Sequence, residues 1–147
     1  MTSELPHATE ELSLHTCWAM LRETPVGRLA VTTEEGPDIF PINFVVDGGS
    51  IVFRTAAGTK LSAANRQRVA FEADGYDAAL GTAWSVVVKG RAVPVASTDE
   101  SIDVHSLPLL PWQHGNKPWF IRIVPATVTG RRIHVGGGLW RSVPAPT

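Results

Sequence analysis

Residues 53–61 combine the side-chain types that bind a phosphate group. An apolar run ends in Arg54 and Thr55, a loop of small residues follows, and Thr59, Lys60 and Leu61 begin a predicted short helix. A helix N-terminus offers unpaired N–H groups and a partial positive charge. With the Thr59 hydroxyl and the Lys60 charge, these donors suit a phosphate. A capped helix with a solvated lysine explains the same residues, and the spacing does not match a P-loop.

A second candidate is the strand segment Pro41, Ile42, Asn43 and Phe44. Pro41 cannot donate to a strand ladder, so it marks a sheet edge or a break in pairing. A strand that is not fully paired can offer backbone N–H and C=O groups to the edge of a planar heterocycle. An ordinary edge strand, with Asn43 paired locally, is the alternative.

A third candidate is the segment Trp84, Ser85 and Val86, at the start of an alternating strand. Trp84 could border a ring system, and Ser85 could donate a hydrogen bond to a ring carbonyl. The alternative is that Trp84 anchors the core, as most tryptophans do.

Three arginines near the C-terminus, Arg122, Arg131 and Arg132, offer further cations. One of them could reach a phosphate from across a subunit interface, whereas a surface ion pair is the simpler role. We also expect Trp112 and His114, in a proline-rich loop, to lie near the site. No side chain stands out as a catalytic acid or base.

The hydrophobic periodicity predicts which elements position these residues. A helix over 14–23, with Ser13 as N-cap, presents one apolar face. Strands are predicted at 26–33, 38–46, 50–55, 69–73, 83–95, 119–124 and 128–135. A turn at 34–37, a hairpin at 47–49 and a loop at 74–81 join some of them. Further short helices are predicted from about Thr59 and over 98–105. The pattern is that of a mainly β barrel with two or three short helices.

Length and composition limit the function classes. The chain has 147 residues and a net charge of −1. This size predicts one domain over 1–147, with a core of about 12–135 and flexible tails. The charge argues against a nucleic-acid binder, and no apolar run is long enough for a membrane helix. Histidine spacing fits no zinc site, and the lone Cys17 is expected to be a core thiol. Cytoplasmic localisation is the default expectation.

The order of these motifs resembles that of the pyridoxamine 5′-phosphate oxidase-like, FMN-binding split-barrel family. The resemblance covers roughly residues 12–133 and is strongest to the nitroimidazole-reductase-like and actinobacterial branch. It rests on the three segments above together with the runs at 26–31 and 69–72. It implies a mainly β split barrel that forms a homodimer and holds FMN at the interface.

The resemblance also assigns roles to the candidate residues. Segment 41–44 would line the isoalloxazine ring with backbone groups, and Trp84, Ser85 and Val86 would border it. Arg54 and Thr55, with the loop at 59–61, would hold the ribityl chain and phosphate. The implied activity is flavin-dependent oxidoreduction of a small-molecule substrate. The alternative is a non-catalytic protein that binds or senses a flavin, deazaflavin or haem.

The resemblance implies a cofactor but does not identify the substrate. Members that oxidise pyridoxamine phosphate carry a Ser-Arg-Lys run where this chain has Gly58, Thr59 and Lys60. Their C-terminal substrate segment is only faintly echoed by residues 129–134. A related branch uses a deazaflavin coenzyme in place of FMN.

Overall fold

The structure is a computed structural model that describes residues 9–56, 64–95 and 118–134. These ranges contain one helix and seven strands. In chain order the elements are β1 (Thr9–Glu11), α1 (Leu14–Arg22), β2 (Val26–Thr33), β3 (Gly36–Val46), β4 (Ile51–Ala56), β5 (Arg68–Asp77), β6 (Thr82–Pro94) and β7 (Pro118–His134).

The strands form one antiparallel sheet that closes on itself. The order is β1-β7-β4-β3-β2-β5-β6, and a further pairing of β6 with β7 completes a six-stranded ring, to which β1 adds at the edge of β7. Closure removes most free strand edges, which is how barrels avoid edge-to-edge association. The prediction of a mainly β barrel is confirmed. The helices predicted near Thr59 and over 98–105 fall outside the described residues.

The barrel interior is filled by side chains that alternate along the strands. The core is dominated by aromatic and branched residues, and its largest fully buried members are Phe53, Phe71, Leu21, Leu29, Ile51, Ile121 and Ile123. Phe44 meets Phe71 edge-on, with ring centroids 4.7 Å apart. Gly27 lies against the Phe71 ring, and any Cβ at that position would overlap it. The interior is therefore a packed core rather than a ligand cavity.

Helix α1 covers one side of this core. Its N-cap is Ser13, whose Oγ accepts a hydrogen bond from the Thr16 N–H at 3.1 Å, as predicted. Cys17 and Leu21 are buried, whereas Leu14 is 60% exposed, so the apolar face is narrower than its spacing indicates. Gly130 of β7 lets the helix approach, because a Cβ there would meet the Cys17 sulfur. Burial raises the pKa of the Cys17 thiol, in keeping with a core role. In the described ranges, no helix has the length and apolar character that crossing a bilayer requires.

The turn at 47–50 fits its sequence. Gly48 and Gly49 both have positive φ, of 57° and 73°. The Asp47 N–H donates to the Ser50 carbonyl at 3.0 Å, and the Ser50 N–H donates back at 3.1 Å. A two-residue hairpin loop of this kind requires the left-handed region at both central positions, and glycine reaches it without strain.

Two predicted boundaries differ from the structure by more than two residues. Residues 74–77 belong to β5 rather than to a loop, because their pairing with β6 continues to Asp77↔Thr82. Cross-strand pairing overrides the low strand propensity of aspartate and glycine there. The two C-terminal strands are one strand, β7, which continues through Pro125. A register shift between Lys89 and Gly90 of β6 accommodates this irregularity.

The N-terminal segment also contributes more than predicted. Strand β1 lies before the expected core and pairs with β7, from Thr9↔Ile133 to Glu11↔Arg131. Glu10 lies 3.7 Å from Arg132 and 3.6 Å from His134. Such exposed ion pairs stabilise a fold only slightly. Backbone pairing with β7 is therefore the main interaction that holds β1 in the sheet.

Candidate flavin site at the strand fork

The barrel opens where β3 and β4 separate. The two strands pair only through Phe44↔Phe53, Val45↔Val52 and Val46↔Ile51. Beyond that point β3 continues along β2, and β4 continues along β7 as far as Ala56↔Pro118. Among the described residues, no strand pairs with the second edge of β3 over 36–43. The break in pairing that Pro41 predicts is therefore present, and we call this place the fork.

The side chains of β3 at the fork divide between two faces. Ile42 and Phe44 point into the core and are 2% and 4% exposed. Pro41 is exposed and Asn43 is half-buried, on the outer face. A ligand at this edge would therefore meet backbone groups and the Asn43 amide, but not the Ile42 or Phe44 side chain.

Arg54 and Thr55 lie on the opposing side of the fork. Continuing the β3–β4 register by one step places Arg54 across from Asn43, and both lie on the outer face. The Arg54 guanidinium lies 5.8 Å from the centroid of the Phe120 ring, a cation–π distance. Thr55 points inward and is buried. The fork thus brings a cation, an amide and unpaired backbone to one opening. Thr59, Lys60 and Leu61 follow β4 but lie outside the described residues.

Trp84, Ser85 and Val86 lie elsewhere on the barrel. Val86 is fully buried in the core, and the half-buried Trp84 indole packs on Gly75, where a Cβ would collide with it. Ser85 is on the outer face, across from Asp74 on one side and Arg131 on the other. In the ring order, β6 is three strands away from β3. One chain therefore does not bring this segment to the fork.

Three charged residues between these segments were not predicted as a unit. Arg28 of β2 lies 3.1 Å from Asp74 and 3.5 Å from Glu72. Burial, followed by the hydrogen bond and charge of Asp74, raises the pKa of Glu72 to about 7, and Arg28 opposes this rise. Glu72 and Asp74 are not at a strand end as expected, but inside β5. The sequence signal is two acids spaced by two on one strand face; only the non-local pairing of β2 with β5 supplies the arginine.

The C-terminal arginines have different surroundings. The Arg122 guanidinium donates to Ser50 Oγ at 2.7 Å and to Asp47 Oδ2 at 3.0 Å. It therefore fastens the β3–β4 hairpin to β7 within its own chain. Arg131 is exposed beside Ser85, and Arg132 faces Glu10. The structure describes nothing of Trp112 or His114. In the described ranges, no group of three or more potential metal ligands is present.

Comparison with known proteins decides the family. The family model for pyridoxamine 5′-phosphate oxidase matches residues 13–132, most of the chain. The chain belongs to the pyridoxamine 5′-phosphate oxidase-like family. An uncharacterized protein of Mycobacterium tuberculosis is 35% identical over 129 residues, which are 84% of each sequence.

Solved structures agree with this membership. The FAD binding protein from Mycobacterium smegmatis is 41% identical, with a TM-score of 0.75 over 84% of this chain and 98% of that one. A conserved protein of unknown function from Corynebacterium diphtheriae is 36% identical, with a TM-score of 0.72 over 85% and 98%. The barrel is therefore the split barrel of this family, in agreement with the resemblance seen in the sequence.

Proposed function

We propose that this protein binds a flavin nucleotide at the fork and catalyses flavin-dependent oxidoreduction of a small molecule. The observation that carries the proposal is the early separation of β3 from β4. It leaves the 36–43 edge of β3 without a strand partner among the described residues, and it places Asn43 and Arg54 on the same face. On this edge Pro37 and Pro41 have no N–H, and the Ile39 N–H donates to Asp38 Oδ1 at 2.9 Å, so the Asn43 N–H and the strand's C=O groups would meet the edge of an isoalloxazine ring.

The residues of the fork fit the parts of such a cofactor. Backbone groups at 41–43 would hold the ring edge, and the Asn43 amide can both donate and accept. Arg54 would meet the ribityl phosphate together with Thr59 and Lys60, because a guanidinium binds phosphate through paired N–H groups. When bound, the flavin supplies the hydride and electron chemistry, while the protein supplies binding, orientation and electrostatics.

We further propose that the site is shared in a homodimer. Trp84 and Ser85 lie three strands from β3 in one chain, so they reach the fork only from a second copy. The Val86 side chain is fully buried in its own core and stays outside the shared site. Two-fold symmetry then produces two equivalent sites. Arg131, which is exposed beside Ser85, would enter the same interface.

The flavin is proposed to be FMN or its larger relative FAD. The sequence resemblance favours FMN, and the 41% identity to a FAD binding protein favours FAD. A deazaflavin is the third candidate. Titrating the protein with FMN, FAD and a deazaflavin, and measuring the quenching of ligand fluorescence, distinguishes the three candidates. A protein that binds none with micromolar affinity would contradict the proposal.

Turnover separates an enzyme from a carrier. The loaded protein is mixed with NADPH and a nitro-aromatic acceptor, and absorbance reports repeated reduction. Sustained turnover supports oxidoreductase activity. Stoichiometric binding without turnover of any tested donor would support the alternative, a protein that binds or senses the cofactor.

Mixed dimers test the shared site. Arg54→Glu and Ser85→Glu each place a carboxylate where the cofactor phosphate or ring would bind. Each variant alone should lose binding. If the two residues come from different chains, mixing the variants restores one intact site in every mixed dimer. If the variants exchange subunits but the mixture does not regain flavin binding, the proposal of a site shared between two subunits is wrong.

A further inference from the structure

Three basic side chains cluster on the outer face of β5 and β6. Arg68 lies directly opposite Arg91, and Lys89 lies opposite Ala70, the next outward position. All three are exposed. Residues spaced by two on adjacent strands project to the same side, so the three charged groups share one surface.

This cluster is not neutralised by acids of the described chain. No carboxylate of the described residues lies within ion-pair distance of Arg68, Lys89 or Arg91. Like charges directly opposite on a sheet destabilise it. Nearby on the same face, Arg28 is paired with two carboxylates. Among the described residues, these three cations therefore lie together without a counter-charge.

The cluster lines a groove rather than a flat surface. The groove has a volume of about 620 Å³, and its other walls include Ala30, Pro37 and Pro125. None of the described residues that line it is acidic. The Arg91 guanidinium is oriented by donating to the Arg66 carbonyl at 3.0 Å. Cations beside apolar walls suit a ligand that has both an anionic and an apolar part.

We propose that this groove binds a small organic diphosphate. Two guanidinium groups and an ammonium provide the density of N–H donors and charge that a diphosphate satisfies, and guanidinium binds phosphate oxygens in pairs. The apolar walls would contact the organic part. This site is separate in its residues from the fork, and it does not depend on the proposed flavin function.

Calorimetric titration at constant ionic strength tests the site with inorganic pyrophosphate, ADP and glutarate. Pyrophosphate should bind, ADP should bind more tightly because of its organic part, and glutarate should bind more weakly than either. Arg68→Gln and Lys89→Gln should each raise the Kd for pyrophosphate by roughly tenfold. Arg22→Gln, on the exposed side of α1, should leave pyrophosphate binding unchanged.

The same variants give a second readout without ligand. Removing one of three repelling cations should raise the melting temperature of Arg68→Gln above that of the wild type. A lower melting temperature would mean that Arg68 has an acidic partner, such as a second copy of the chain, and would overturn the proposal. The proposal would also be overturned if both groove variants bound pyrophosphate as the wild type does, or if glutarate bound as tightly as pyrophosphate. If ADP bound no more tightly than pyrophosphate, the proposed contact between the apolar walls and an organic group would be wrong.

Discussion

The two sides of the barrel differ in how completely their strands pair. On one side β6 pairs with β7 along its whole length, from Thr82↔His134 to Pro94↔Ile121. On the other side β3 and β4 pair only from Phe44 to Val46 and then separate. The β6–β7 side satisfies its backbone groups within the sheet, whereas at the fork the 36–43 edge of β3 has no strand partner among the described residues. Stability and binding should therefore be separable by mutation.

The largest effect is expected on the closed side, at Gly90. A Cβ there would collide with the Val124 carbonyl oxygen of the paired strand. Because backbone cannot move away without breaking the ladder, Gly90→Ala should cost about 3 kcal/mol of unfolding free energy in a urea titration. Gly48→Ala is the matched control: φ is +57° but nothing lies within 4 Å, so only about 1 kcal/mol is expected. Equal losses would contradict the steric account.

A smaller effect is expected at Arg122, behind the β3–β4 hairpin. Arg122→Met leaves the Asp47 carboxylate and the Ser50 hydroxyl without this donor, which should cost about 2 kcal/mol. Flavin affinity should not change, because these contacts are structural. Arg22→Met, at an exposed arginine of α1, is the control for stability. A large loss of flavin affinity in Arg122→Met with no loss of stability would place Arg122 in the binding site instead.

The fork should show the opposite pattern. Arg54→Gln removes the cation proposed to meet the phosphate, so flavin Kd should rise roughly tenfold by fluorescence titration. Unfolding free energy should fall by only about 0.5 kcal/mol, the value of an exposed cation–π contact. Arg22→Gln controls for a general loss of positive charge. If the arginine matters for stability but not for binding, the fork is not the phosphate site.

The smallest effect concerns pH and Glu72. The folded protein keeps a proton on Glu72 up to about pH 7, whereas the pKa is 4.5 without the fold. Folding therefore takes up a proton between these values, and stability should fall as pH rises through that window. Glu72→Gln should flatten this dependence and raise the melting temperature at pH 8 by about 2–4 °C.

The matched variant is Glu34→Gln, in an exposed turn. It should keep the wild-type dependence on pH. A Glu72→Gln protein that still loses stability between pH 4.5 and 7 would show that another group titrates there.

Local signals in the sequence predicted most strands and part of the fork. The helix cap at Ser13, the glycine hairpin and the pairing break at Pro41 depend on a few neighbouring residues, so the sequence alone reveals them. Two features depend on which strands become neighbours. They are the contacts of Arg28 with Glu72 and Asp74, and the groove lined by Arg68, Lys89 and Arg91. Pairing of β2 with β5 is non-local, and periodicity does not determine it. The register that places Arg68 opposite Arg91 in the β5–β6 hairpin is not determined by periodicity either.

The errors have the same origin. Asp74 and Gly75 have low strand propensity, and Pro125 has no donor, so each looked like a break. The ladder between β5 and β6, and the register shift opposite Pro125, maintain the strands nevertheless. In the proposed dimer, Trp84 would border a cofactor held by a second copy of the chain, which no local pattern encodes.

Hydrogen exchange with and without flavin tests the central claim most directly. The account predicts that FMN or FAD slows exchange of the Ile39 and Asn43 amides, which lie on the edge of β3 that has no strand partner among the described residues, with little change along the β6–β7 ladder, which is already protected. Protection confined to the β6–β7 side, or flavin binding that leaves the Ile39 and Asn43 amides unchanged, would contradict the fork as the binding site.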